Sequence, residues 1–275
     1  MTRRTRLLLL ALVAVCLAVF IFCAISLINY YSHSRAAQNT YRDLSAMVSP
    51  LRPSPENTDA ETGPNVTPLP VYETLTDPDT GLTRQVLREY APIYLLNSHT
   101  VGWIRISGTN IDHPVVQTPD RPNYYLRRDF YGNHNSHGCI YVKEDCSLDP
   151  ASDNIVIYGH RMKDGTMFAA LSDYTDPDFR AEHPHIEFDT LGQYHTYEVV
   201  YVMVLESSTD SEFQFQNHND FASAEAFEAY LSYCNRYALY DTGIRPGFGD
   251  KLITLSTCDY SLENGRLVII ARQIK

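Results

Sequence analysis

Tryptophan occurs once in 275 residues and cysteine six times. Six cysteines are too few to staple a chain of this length, so a packed core must hold it. Basic residues are also scarce: 22 Lys and Arg stand against 33 Asp and Glu, a formal net charge of -11. That argues against a nucleic-acid binder, whose affinity rests on clustered Lys and Arg. No internal repeat is visible. Apolar substance is plentiful, with 44 % hydrophobic residues and 20 tyrosines, which suits a folded chain rather than a disordered one.

A hydrophobic run opens the chain. Residues 7–28 (LLLLALVAVCLAVFIFCAISLI) carry one polar residue, Ser26. A helix of that length reaches about 33 Å, enough for a bilayer core. Arg3, Arg4 and Arg6 precede it, so residues 1–6 are expected as a cytoplasmic tail, 7–28 as an uncleaved single-pass membrane anchor, and the rest as extracellular. A cleaved signal peptide would have a shorter apolar region followed by a small-residue site. Residues 29–81 read as an extracellular stalk, because seven of the fifteen prolines lie between 49 and 80 without an apolar period. A folded domain is expected over 82–275.

Within it, residues 83–97 show helical spacing of Val86, Leu87, Tyr90, Ile93 and Tyr94, interrupted by Pro92. Eight strand-like runs follow, at 102–106, 113–116, 138–142, 154–158, 185–188, 197–205, 251–256 and 267–271. They are rich in Val, Ile, Tyr and Thr and bounded by turn formers, which suggests a closed or nearly closed β-barrel. One helix, 222–237, interrupts the late strands with an apolar stripe of Phe227, Tyr230, Leu231 and Cys234.

Three residues draw attention for chemistry. Cys258 ends a strand-like run in TLSTCDY, a more exposed place than a core thiol takes. His160 follows the run 154–158 in IVIYGHRM, with Gly159 allowing a turn. Two such residues just past strand ends can meet at one rim of a barrel as nucleophile and base. Arg266 opens the last strand in ENGRLVII, after the turn signal Asn264-Gly265. Across a tight return it would stand near Cys258, where a guanidinium can donate to a developing oxyanion. A non-interacting Cys–His pair would be thiolate–imidazolium in only about 1 % of molecules near neutral pH. His134, His137, Cys139 and Cys146 form a further cluster in HNSHGCIYVKEDC. Their spacing fits no closed zinc motif, and Cys139 and Cys146 read as unpaired thiols, with a disulfide between them as the alternative outside the cytoplasm.

IVIYGHRM, TLSTCDY and GRLVIIAR resemble the three catalytic motifs of the sortases, membrane-bound cysteine transpeptidases of Gram-positive bacteria. VGWIRISGTNIDHPVVQTPD (101–120) and NYYLRRDF (123–130) are similar to the sortase segment leading into the barrel. The resemblance implies a mainly β fold: an eight-stranded sortase-like β-barrel with an N-terminal helical region and one helix inserted between the late strands. TLSTC and the helix at 222–237 look like class B. The pilin-polymerising class C usually carries an Asp-Pro-aromatic lid, whereas Asp77-Pro78 is followed here by Asp79.

The resemblance further implies that Cys258 attacks a Thr carbonyl in a C-terminal sorting motif of a secreted protein, at a Thr-Gly or Thr-Asn type bond, forming a thioacyl intermediate. Arg266 would stabilise the oxyanion and His160 would move the proton. Ser256, Thr257, Leu126 and Asn123 are expected in the substrate groove. The acceptor would be a peptidoglycan cross-bridge or stem-peptide amine, and no cofactor is expected. The alternatives are a pilin polymerase using a pilin Lys, a hydrolytic cysteine protease and a non-enzymatic binding module.

Overall fold

The computed structural model describes residues 3–52, 69–76, 81–206, 213–259 and 265–275. Residues 1–40 and 41–275 form separate compact units. Helix α1 (Arg3–Val48) is 46 residues long and takes in the apolar run. The expected single-pass membrane localisation needs correction here. Among the described residues no helix is long and apolar enough to cross a membrane. The described side chains of the run are those of Leu10 and residues 12–28, short of the roughly 20 consecutive apolar residues that a span needs. Most of the proline-rich stretch, at 53–68 and 77–80, lies outside the described residues, as does Asn264 of the expected turn.

Strand β1 (Tyr72–Thr76), inside the stretch expected as stalk, pairs antiparallel with β2 (Thr83–Leu87). α2 (Ala91–Leu96) follows. The helical spacing over 83–97 is therefore divided between a strand and a short helix. Pro92 occupies the first turn of α2, where its missing N–H has no partner to lose, so it begins the helix instead of interrupting one.

The barrel uses the eight expected runs. These are β3 (Thr100–Arg105), β4 (Asp112–Val116), β5 (Ile140–Val142), β6 (Asn154–Tyr158), β7 (His185–Thr190), β8 (Thr196–Glu206), β9 (Leu252–Asp259) and β10 (Gly265–Gln273). It closes in the order β10-β8-β7-β3-β4-β5-β6-β9. Two pairings are parallel, β4 with β5 and β6 with β9. The short helix α3 (Pro177–Glu182) precedes β7, and α4 (Ala224–Tyr237) falls between β8 and β9. Ser223 caps α4 by accepting from the Ala226 N–H at 3.3 Å. The helix buries Phe227, Tyr230, Leu231 and Cys234, the stripe read from the sequence. β10 is buried along nearly its whole length, so it reads as a continuous apolar run instead of an alternation.

The start of the second unit is tied to this barrel by polar contacts. Tyr41 Oη donates to the Gly138 carbonyl at 2.6 Å. The lone tryptophan, Trp103, is 1 % exposed, and its indole N–H donates to Asp112 Oδ1 at 2.7 Å. Ser45 donates to the same carboxylate. A buried tryptophan with a satisfied N–H contributes both area and direction to such a joint.

His113, on β4, is buried against the edge of Tyr41, and neither ring nitrogen has a hydrogen-bond partner among the described residues. Burial holds its imidazole down to about 4. Its unfolded value is near 6.5, so its contribution to stability is complete above that pH and is lost as pH falls towards about 4. His113→Phe should remove ~2–3 kcal/mol of the acid-dependent loss across that window. Thermal melts of both proteins between those pH values test this, and parallel pH slopes would refute it.

Candidate active site

The site is built on the β6–β9 pairing. Because these strands are parallel and in register, Tyr158 stands opposite Ser256. Two residues further along each chain stand His160 and Cys258, so both reach the same rim. The Gly159 N–H donates to the Ser256 carbonyl at 3.1 Å and holds the chain to β9 for one more residue. A Cβ on Gly159 would come within 2.5 Å of the Phe168 ring, so a side chain there would force either the ring or the chain at the end of β6 to shift. On the other side of β9, antiparallel β10 puts Arg266 directly across from Cys258. Arg266 Nη1 donates to Cys258 Sγ at 2.6 Å.

The thiol is held below its ordinary range. A hydrogen bond from His160 is the main cause, supported by the positive guanidinium of Arg266 and opposed by partial burial. The imidazole has a fixed direction. His160 Nε2 lies 2.7 Å from the Leu126 carbonyl. A carbonyl only accepts, so Nε2 carries a proton and Nδ1 is the nitrogen left for Cys258. The other cysteines of the second unit are different. Burial pushes Cys139 up to about 12 and Cys146 up to about 11, and also raises Cys234.

A cleft of about 400 Å³ opens over the thiol. The seven residues expected from the sequence as catalytic or groove residues border it: Cys258, His160, Arg266, Ser256, Thr257, Leu126 and Asn123. Asn123 has φ of 56°, a left-handed conformation that asparagine tolerates, and starts the turn Tyr124–Arg127. Its Oδ1 accepts from Tyr141 Oη at 3.0 Å. The Ser256 and Thr257 hydroxyls are buried without a hydrogen-bond partner among the described residues. Strand alternation puts Ser256 on the face of Cys258 and turns Thr257 the other way.

A family model described as the sortase domain matches residues 104–274. The chain belongs to the sortase family. It is similar to sortase B of Listeria monocytogenes, with 34 % identity over 192 residues, 69 % of this chain and 76 % of that one. A Staphylococcus aureus sortase B–substrate complex shares the fold with a TM-score of 0.70 at 24 % identity, covering 89 % of this chain and 99 % of that one. A sortase B complexed with triglycine has a TM-score of 0.61 at 29 % identity, covering 68 % and 86 %. These relatives put the sortase in class B and make it a cysteine transpeptidase on an eight-stranded barrel.

Some parts of this sortase site have no side-chain signature. The Leu126 carbonyl is a main-chain group, so nothing in the sequence singles it out as the partner of His160. Tyr141 and Tyr158 are opposite each other on β5 and β6 and border the cleft. Their place in a row with Ser256 was open to a reading of strand alternation, but only once the strand order was known. In the His/Cys cluster, His137 Nε2 faces Asp164 Oδ2 at 2.8 Å and Cys139 receives a hydrogen bond from Tyr41 at 3.4 Å. Cys146 accepts from the Val156 N–H at 3.4 Å. Cys139 and Cys146 are both free thiols.

Alkylation of the folded protein should single out Cys258 over Cys139, Cys146 and Cys234. Its rate should rise with pH through a midpoint below the ordinary thiol value of about 8.5. His160→Ala should move that midpoint up. Mass mapping of the alkylated cysteine at several pH values checks both, and a midpoint at or above the ordinary value would overturn the electrostatic account.

Proposed function

We propose that this sortase cleaves a C-terminal sorting motif at a Thr-Gly or Thr-Asn type bond and transfers the acyl group to a peptidoglycan amine. The observation that carries the reading is the convergence of Cys258, His160 and Arg266 at one rim, with the thiol already shifted towards thiolate. The Cys258 thiolate attacks the Thr carbonyl. The carbonyl oxygen becomes an oxyanion that the Arg266 guanidinium meets, together with a main-chain N–H beside Cys258. His160, protonated at Nδ1, gives that proton to the departing amine as the C–N bond breaks, leaving a thioester. The incoming amine loses a proton to Nδ1 and attacks the thioester. The new amide forms and the thiolate is released.

The groove reading has its own support. The buried Ser256 hydroxyl lacks a partner among the described residues, and a bound peptide carbonyl or N–H would relieve that cost. Asn123 and Leu126 also line the cleft, where Leu126 offers an apolar residue 38 % exposed. Thr257 borders the cleft from β9 with its side chain turned away, which leaves its main chain for the substrate. The substrate and triglycine complexes of related sortases B make a sorting peptide and a glycine amine the first partners to test.

Incubating the full chain with sorting-motif peptides and amines, with products read by mass, should give an amide between the Thr acyl group and the amine. Cys258→Ala should abolish it. Free carboxylic acid as the sole product, despite abundant amine, would make the protein a hydrolase instead. Arg266→Lys should lose about 10²–10³ in kcat/KM, because ammonium does not reproduce the planar fork at a fixed position. A folded Lys variant within about threefold of wild type, under 1 kcal/mol of transition-state stabilisation, would remove Arg266 from the chemistry.

A further inference from the structure

The loop that begins with His160 returns to itself at Phe168, whose N–H donates to the His160 carbonyl at 2.9 Å. Two side-chain bonds tie this loop to the neighbouring stretch 125–139. One is His160 Nε2 to the Leu126 carbonyl, at 2.7 Å and in an exposed setting. A single exposed bond of that kind sets the direction of the ring but is worth only about 1 kcal/mol, so holding the ring in place also depends on how its loop is anchored.

The second bond is at Asp164. Its Oδ2 accepts from His137 Nε2 at 2.8 Å, and its Oδ1 accepts from the N–H and hydroxyl of Thr166 at 3.1 and 2.6 Å. The His137 side chain is 1 % exposed and that of Asp164 is 15 %. A carboxylate hydrogen bond this sheltered from water is the stronger of the two ties. On its other side, His137 Nδ1 lies 3.2 Å from Asn135 Oδ1, which also accepts the His137 N–H at 2.9 Å.

The stretch carrying His137 is in turn fastened to the turn that carries Leu126. The Asn135 N–H donates to the Arg127 carbonyl at 3.0 Å and the Cys139 N–H to the Tyr125 carbonyl at 3.1 Å. Between them, Gly138 has φ of 59°, and a Cβ there would stand 2.6 Å from the Leu126 oxygen. The carbonyl that orients His160 and the imidazole that grips Asp164 therefore belong to one packed piece. Neither His137 nor Asp164 borders the cleft.

We propose that His137 is a positioning residue for His160, acting through Asp164: the buried pair anchors the His160 loop, so that the Leu126 carbonyl and Cys258 find the imidazole in place. The proposal rests on His160 being the proton carrier of the reaction. It gives a role to a histidine that first drew attention as part of a metal-like cluster.

The test uses the full chain with His137→Leu, His137→Gln, Asp164→Asn and, as reference, His160→Ala. Each is measured for kcat and KM with a sorting peptide, for the pH midpoint of Cys258 alkylation, and for Tm. His137→Leu should lower kcat on the order of 10–100-fold with peptide KM within about twofold. It should also move the alkylation midpoint up, in the direction set by His160→Ala. His137→Gln, whose amide nitrogen can stand near the place of Nε2, should recover most of both. Asp164→Asn keeps an acceptor for Thr166 but loses the carboxylate, and should shift kcat and midpoint in the same direction as His137→Leu. It decides the matter if His137→Leu fails to fold. Variants that lower Tm but leave kcat and the midpoint at wild-type values would overturn the proposal and leave the pair purely structural. If His160→Ala itself leaves the midpoint unmoved, the role of His160 is wrong and the proposal falls with it.

Discussion

Strands β6 and β9 are separated by nearly a hundred residues, yet they lie parallel, with Tyr158 opposite Ser256. Parallel pairing makes their carboxyl ends leave the sheet at the same edge, so residues at equal distances past the register point stay neighbours. That constraint brings His160 to Cys258. The antiparallel partner β10 then delivers Arg266 from the opposite direction, directly across from Cys258. A slip of one residue in either pairing would turn Cys258 to the other face of the sheet and separate the three groups. Much of the barrel serves to prevent that slip: β9 has a partner on each side, and β10 is paired with β8 from Gly265 to Gln273 with one register shift between Ile270 and Ala271.

Within this frame the guanidinium has more than one negative charge to meet. At rest Arg266 donates to the Cys258 sulfur, which helps hold the thiol below its ordinary range. On the proposed reading the charge passes from sulfur to the substrate oxygen and back, over distances that a guanidinium with five donors can cover by small reorientation. A cation kept beside a half-buried site is costly when nothing negative is near. Its attraction to the thiolate and its service to the oxyanion are thus two uses of the same placement.

The sequence made some of this arrangement visible and hid the rest for physical reasons. The eight strands were legible because short β-branched and aromatic runs bounded by Gly, Asp and Asn have few other folds open to them. The α4 stripe was legible through its helical period. The side chains at the rim were legible because Cys258, His160 and Arg266 each follow or begin such a run. The parallel pairing was not, since strand partners are chosen by barrel closure and not by local pattern. The region 83–97 misled because apolar spacing alone did not reveal that 72–76 would pair with 83–87, which left Pro92 to begin a helix. The apolar run at 7–28 spoke for a membrane span, while the described part of its helix falls short of one.

The cysteines show how completely position governs chemistry once the residue type is given. Cys139, Cys146 and Cys234 are buried, and burial opposes the thiolate at each. Cys139 even receives a hydrogen bond from Tyr41, which favours thiolate, yet the loss of water outweighs it. Cys258 is only half-buried and meets both a hydrogen bond from His160 and a positive charge, and there the balance reverses. A single hydrogen bond is not enough to activate a sulfur that water cannot reach. A strand end that opens into a cleft satisfies both conditions, because its side chains leave the packed sheet just where neighbouring chain ends can supply charge.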